Sequence, residues 1–399
     1  MYYHFENKKG WMNDPNGLVY FKGKYHAFFQ HYPYATHWGQ MHWGHAVSDD
    51  LIHWDEMNIA LYPDQAYEND GGCFSGSAIV KDDRLYLFYT SVSHEFGQTQ
   101  SLAYSDDGIT FTKYEGNPII KHSPLGDNKE FRDPKVIHYS GDNLYPYRMV
   151  VGAGIDGIGK ILLFKSSDLF DWEYCGELLS DQDLGPCAEC PDLFVVTNEK
   201  TNAVDDLSSP FYDIYKELGI EPPQPIINDG KSVENRWILM YSCIKARPYR
   251  VCFRTCDFDG VHLNNLSEPF ALESGPDFYA PQTFEAPDKR RILIAWMYNW
   301  QRSPSCAATH IGAFTIPREM KLNSESKLTM RPISEIMKKI KSESVFVKYD
   351  RGRLEIGYKG IKVFDKAYKD EPTIEVLEDI GVVEVFINGG EEVVTSYVC

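Results

Sequence analysis

The chain has 399 residues, of which 43% are hydrophobic and 14% aromatic, with 58 acidic against 40 basic side chains and a formal charge of −18. At ~100–200 residues per domain this length predicts two domains with ample core, and a charged fraction of 25% without low-complexity tracts predicts a folded chain. The acidic balance argues against nucleic acid and anionic membrane surfaces as partners, and no apolar run reaches the ~18 residues of a spanning helix.

Met1 to Asp14 is aromatic and polar and lacks the apolar stretch of a signal peptide. The nine cysteines, an odd number scattered from Cys73 to Cys399, read as reduced thiols rather than a disulfide framework. A cytoplasmic protein is expected, monomeric or homodimeric.

Along the first three quarters, five short strands stand out as strongly apolar or aromatic: His26–Gln30, Leu85–Thr90, Tyr147–Ala153, Trp237–Ser242 and Ile292–Met297. Most follow another strand and a polar turn, as in LVYFKGKYHAFFQ and AIVKDDRLYLFYT, which is the signal of a hairpin. After the first three hairpins comes a marker of the form S-x-D-x-x-x-W/F, at Ser48–Trp54, Ser105–Phe111 and Ser166–Trp172, with a weaker relative at Thr255–Gly260. Its aspartates Asp50, Asp107 and Asp168 recur 57 and 61 residues apart.

Five such units predict an all-β, five-bladed β-propeller over 1–308. An insertion at 198–235 contains SSPFYDIYKELG, where Ser209, Pro210 and Gly219 would bound a short helix. Residues 309–342 read as a linker with a short helix in PISEIMKKI, and six alternating strands over 343–399 as a small, shortened C-terminal β-sandwich.

Two motifs mislead. Gly152–Gly157 matches a dinucleotide fingerprint and runs into a near phosphate loop, but ILLFKSS follows as a strand where the phosphate needs a helix N-terminus, so a glycine-rich hairpin is expected. Cys187 and Cys190, with Cys252 and Cys256, could supply four thiolates, yet nothing in their spacing demands zinc. No metal and no cofactor are expected.

The chemistry lies in the turns that open the units: WMNDPNG at Trp11–Gly17, FSGS at Phe74–Ser77, FRDP at Phe131–Pro134, ECPD at Glu189–Asp192 and FYAPQ at Phe278–Gln282. In a propeller these turns feed the innermost strands, so Asp14, Asp133 and Glu189 converge on one mouth, with Glu189 one position ahead of the aspartates. A single Asp-Pro pair is explained as a turn-former; three carboxylates in register are not. Crowded acids raise at least one pKa, which lets one site hold a proton donor and an ionised partner together, as glycosidic cleavage requires.

In order and spacing, WMNDPNG, FRDP and ECPD resemble glycoside hydrolase family 32, the invertases, sucrose-6-phosphate hydrolases and fructan hydrolases. FSGSA, WGHAVSDDLIHW, DFYAPQ, TIPRE and GVVEVFINGGEEVVTS add to the likeness. The resemblance implies that Asp14 is the nucleophile forming a fructosyl-enzyme, Glu189 the general acid and base, and Asp133 the transition-state stabiliser. It places Asn13, Gln30, Trp38, Phe74, Ser75, Arg132, Tyr279 and Trp296 around the fructose. A retaining β-fructofuranosidase acting on sucrose, sucrose-6-phosphate or short fructo-oligosaccharides is expected, the alternatives being a fructosyltransferase or a non-catalytic sugar-binding propeller. The sandwich is shorter than the family's, with strands lacking before Thr373.

Overall fold

The computed structural model describes residues 3–127, 129–196, 235–244, 250–298, 300, 309–336, 344–379 and 381–397. Among them the fold is built from β-strands with three single-turn 3₁₀ segments, and no helix is long and apolar enough to cross a membrane.

Five sheets, antiparallel apart from one short parallel pair in the first, follow one another along the chain. Their opening strands are Gly10–Phe21, Gly72–Lys81, Phe131–His138, Ala188–Val196 and Tyr279–Glu285. The second strand of each is one of the five apolar segments legible in the sequence: Lys24–Tyr32, Arg84–Ser93, Tyr147–Ile155, Arg236–Cys243 and Arg291–Trp296. These strands are buried over most of their length, which explains why they read as apolar runs rather than as alternation. Each opening strand packs against the next, and Tyr279–Glu285 returns to Gly10–Phe21.

Polar groups bind the opening strands to one another. Ser77 Oγ donates to Pro134 O at 2.7 Å, Gln282 Nε2 to Gly76 O at 2.6 Å, and Lys135 Nζ to Asp192 Oδ2 at 2.9 Å and Thr283 O at 2.5 Å. Buried groups of this kind are tolerated because they are paired. Gly152 is required by the same close approach: a Cβ there would meet Ala188 O at 2.0 Å.

The repeated marker closes the turn from third to fourth strand. Asp50 Oδ1 accepts from Ile52 N and His53 N, Asp107 Oδ1 from Ile109 N and Thr110 N, and Asp168 Oδ1 from Phe170 N and Asp171 N, all at 2.7–3.0 Å. Partial burial pushes Asp50 up, but these bonds win and hold it at about 2. In the fourth unit Asp259 does this work through Val261 N and His262 N, so the relative at Thr255–Gly260 is offset by two residues from Asp257. The glycine-rich segment is a hairpin, with Asp156 and Gly157 turning at φ 52° and 77° between two strands.

The expected linker at 309–342 is corrected. His310–Ile311 pairs in parallel with Gly10–Trp11, and Arg318–Leu322 and Leu328–Pro332 are the third and fourth strands of the fifth sheet. The hairpin signal fails here because the third strand follows Trp296 after a long connection instead of a tight turn. Within PISEIMKKI, Pro332 ends a strand and Ile336 N bonds Ile333 O in a turn; residues 337–340 lie outside the described residues, as does the expected helix at Ser209–Gly219.

The six C-terminal strands form two three-stranded meanders, Val345–Ala367 and Ile374–Tyr397. Strand Val382–Ile387 is buried on both faces. Val383, Val385 and Ile387 face Leu354, Ile356 and Tyr358, while Val382 and Phe386 join the core of the fifth sheet. Between them Glu384 meets the fully buried Arg318, Nε to Oε2 at 2.8 Å, and accepts from Ile316 N at 2.7 Å and His4 Nε2 at 2.9 Å. Burial would lower the His4 pKa, but Asp379 and Glu384 raise it above its ordinary value.

Candidate active site

Each opening strand carries a β-bulge near its N-terminal end. Asn13–Asp14 face Gln30, Ser75 is the extra residue between Phe74 and Gly76, and Asp133–Pro134, Cys190–Pro191 and Ala280–Pro281 face Val151, Tyr241 and Ala295. In the last three the first bulged residue has positive φ: 63° at Asp133, 46° at Cys190 and 49° at Ala280. Proline supplies the second residue, where its missing N–H costs no ladder bond. A bulge re-aims the side chains beside it, and here four of them aim at one crevice while the fifth sets Tyr279 behind Glu189.

The register gives the crevice two tiers. Arg132, Glu189 and Tyr279 are equivalent, each the last paired residue before its bulge, and they bond one another. Arg132 Nη2 donates to Glu189 Oε1 at 2.9 Å and Tyr279 Oη to Glu189 Oε2 at 2.6 Å. Asp133 and Cys190 occupy the next tier. The Cys190 N–H donates to Asp133 Oδ2 at 2.8 Å, and Cys190 Sγ lies 3.6 Å from both Asp133 Oδ2 and Asp14 Oδ2. Asp14 accepts from Ser75 Oγ at 2.6 Å and Asn13 Nδ2 at 3.1 Å, and Asn13 is oriented by Trp11 Nε1 at 2.7 Å.

Burial raises the Asp14 carboxyl, and the Glu189 charge adds to it against the bonds from Ser75 and Asn13. Asp133 is pushed up to about 7 by burial and by the charges of Glu189 and Asp14, with Arg132 and the Cys190 N–H opposing. The Cys190 thiol is driven far up by burial and by all three acids, so it stays protonated and donates. The arrangement can therefore hold a proton and a carboxylate side by side near neutral pH.

The cavity, of about 80 Å³, is lined by Asn13, Asp14, Gln30, Trp38, Phe74, Ser75, Arg132, Asp133, Glu189 and Trp300. Nine of the expected residues thus meet in it, and Tyr279 stands behind Glu189. Trp296 does not line it: the ring is fully buried, edge-on to Trp11 at 5.8 Å. The exposed aromatics that line it are Trp300, stacked on Trp11 at 5.5 Å, and Trp38, which lies edge-on to Phe74 at 5.9 Å. The sequence reading also missed Gln98 and Glu130, which hold Arg132: Gln98 Oε1 accepts from Nη1 at 3.3 Å and Glu130 forms an ion pair with the same nitrogen.

A larger cavity of about 510 Å³ at the other end of the opening strands brings together no such acids; its Lys135 is committed to Asp192. Among the described residues no three His, Cys, Asp or Glu side chains are grouped to hold a metal ion.

The model for the N-terminal domain of glycosyl hydrolases family 32 matches residues 4–332. A levanase of Bacillus subtilis is 36% identical over 365 residues, covering 84% of this chain and 47% of the levanase. A sucrose-6-phosphate hydrolase of the same species is 31% identical over 457 residues, covering 99% of this chain and 88% of that protein. Among solved structures, a Bombyx mori family 32 β-fructofuranosidase matches with a TM-score of 0.79 at 27% identity, covering 100% of this chain and 88% of that one. The chain spans 47–64% of the length of four curated relatives it matches. With the three acids gathered at one crevice and the family model matched from end to end of the five sheets, the chain belongs to glycosyl hydrolase family 32.

Proposed function

We propose that the chain is a retaining β-fructofuranosidase, that its five sheets are the blades of a β-propeller, and that it works on small fructosides in the cytoplasm. The observation that carries the activity is the meeting of Asp14, Asp133 and Glu189, from three different sheets, around one thiol and one guanidinium. The names of the relatives, levanase, sucrose-6-phosphate hydrolase and β-fructofuranosidase, support the substrate class.

Glu189, held on one oxygen by Arg132 and on the other by Tyr279, gives its proton to the glycosidic oxygen. Asp14, oriented by Ser75 and Asn13, attacks the anomeric carbon and forms the fructosyl-enzyme. Ketose C2 bears positive charge well, so the barrier falls most where negative groups surround it, and Asp133 holds the ring hydroxyls as that charge develops. Glu189 then takes a proton from water, which releases fructose with retained configuration. Trp38 and Trp300 offer apolar faces to the sugar at the mouth.

Asp14→Asn tests this. Sucrose hydrolysis should fall by about 10⁴-fold or more, as when a nucleophile is removed elsewhere, with the thermal transition unchanged or raised. Full residual activity in this variant overturns the assignment.

A further inference from the structure

Seven of the nine cysteines lie among the described residues. Among these residues Cys243 and Cys252 are hydrogen-bonded thiol to thiol. They sit on adjacent strands of the fourth sheet as a diagonal pair on the same face, two residues out of register, since Cys252 faces Tyr241 and Cys243 faces Arg250. The Cys243 S–H donates to Cys252 Sγ at 3.8 Å. Cys243 is buried and Cys252 is half-buried. We propose that this pair is a dithiol modification site, oxidised by a peroxide to a cross-strand disulfide, and that the bond acts on the site beside it.

The roles of the two sulfurs follow from their surroundings. The S–H of Cys243 and the guanidinium groups of Arg250 and Arg254 favour a thiolate at Cys252, against the opposing effect of burial. Cys243 keeps its proton, as the donor of that bond and through burial. Cys252 therefore attacks first. Its sulfur takes one peroxide oxygen as the O–O bond breaks, giving a sulfenic acid and hydroxide, which leaves as water. The Cys243 sulfur then displaces the sulfenic oxygen as a second water, so two thiols and one peroxide give one disulfide and two waters. A disulfide needs the sulfurs at about 2 Å, so the strands have to yield, and strained cross-links of this kind are the readily reduced ones.

The bond is coupled to the crevice by register. Cys243 pairs with Ala188 and Ser242 with Glu189, so the strand that is pulled is the one backing the acid. This coupling rests on the role proposed for Glu189; the oxidation itself does not.

The test treats the whole native chain with stoichiometric hydrogen peroxide, blocks free thiols by alkylation, and maps peptides by mass spectrometry. The expected result is a Cys243–Cys252 linked peptide two hydrogens lighter, two alkylatable thiols lost, and both restored by dithiothreitol. Cys252→Ser should show no link and an alkylating Cys243. Both cysteines alkylating after peroxide in the native protein, or Cys252 oxidised further without a link, overturns the proposal. Sucrose hydrolysis on the same samples should fall and recover with reduction, and an unchanged rate in a fully linked sample overturns the coupling. The peptide map does not use turnover, so an inactive chain counts against the hydrolase reading alone.

Discussion

Replacing Ser75 with alanine isolates the electrostatics of Asp14. Ser75 Oγ donates to Asp14 Oδ2 at 2.6 Å, against the upward push that burial and Glu189 exert on that carboxyl. A hydrogen bond to a charged acceptor contributes about 1.5–3 kcal/mol, so its loss makes ionisation of Asp14 harder by about that amount. Only the carboxylate can attack carbon. Below the acidic limb of the pH profile, kcat/KM for sucrose should therefore fall by about ten- to a hundredfold, at about tenfold per 1.4 kcal/mol. On the alkaline side Asp14 is ionised in both proteins, and the loss should be much smaller. The acidic limb moves towards higher pH, and it belongs to the coupled acids as a group. A uniform loss at every pH with the limb in place would refute the reasoning, because Ser75 would then act on the sugar rather than on Asp14.

Asp133→Asn should abolish turnover yet stabilise the fold. With its pKa raised from 3.8 to about 7, the folded state keeps a proton that the unfolded chain has lost, so stability falls as pH rises through that window. The variant should gain about 2–4 kcal/mol at alkaline pH and nothing in acid, read by calorimetry; asparagine also suits the positive φ. Trp300→Ala should raise KM with little change in melting temperature, whereas Trp296→Ala should cost about 3–5 kcal/mol of stability. Glu384→Ala takes the ion-pair partner from the buried Arg318 and should cost about 3–5 kcal/mol, with the C-terminal meanders losing protection first in hydrogen exchange. The His4 contribution is present below its unfolded value of 6.5 and is lost as pH rises through the raised folded one, so His4→Gln should flatten the melting temperature across that range.

The three acids are legible because each stands one or two residues before a proline in a turn that opens a sheet, so alignment of WMNDP, FRDP and ECPD brings all three to the same end of their strands. Even the offset of Glu189 was visible, and it places the residue level with Arg132 and Tyr279. The bulges were not visible, since a bulge is a relation between two strands and neither sequence alone carries it. Trp296 was misplaced for a similar reason: it is paired with Tyr279 within the fifth sheet, whereas Trp300 lies past the strand end and is free to reach the mouth. Gln98 and Glu130 stand behind Arg132, and no motif marks such an indirect contact. The expected linker at 309–342 hides strands because the first of them lie far along the chain from their partners at Gly10–Trp11 and Arg291–Leu293.

The clasp between Gly10–Trp11 and His310–Ile311 joins residues 300 positions apart, a separation far beyond that within any hairpin. Single hairpins form from neighbouring residues and bring no two of the acids together. Mutual repulsion among them arises only when separately formed sheets dock, so it weighs on that docking and not on the hairpins. Mild acidity, by neutralising one member of the trio, should hasten that docking without touching the earlier hairpins.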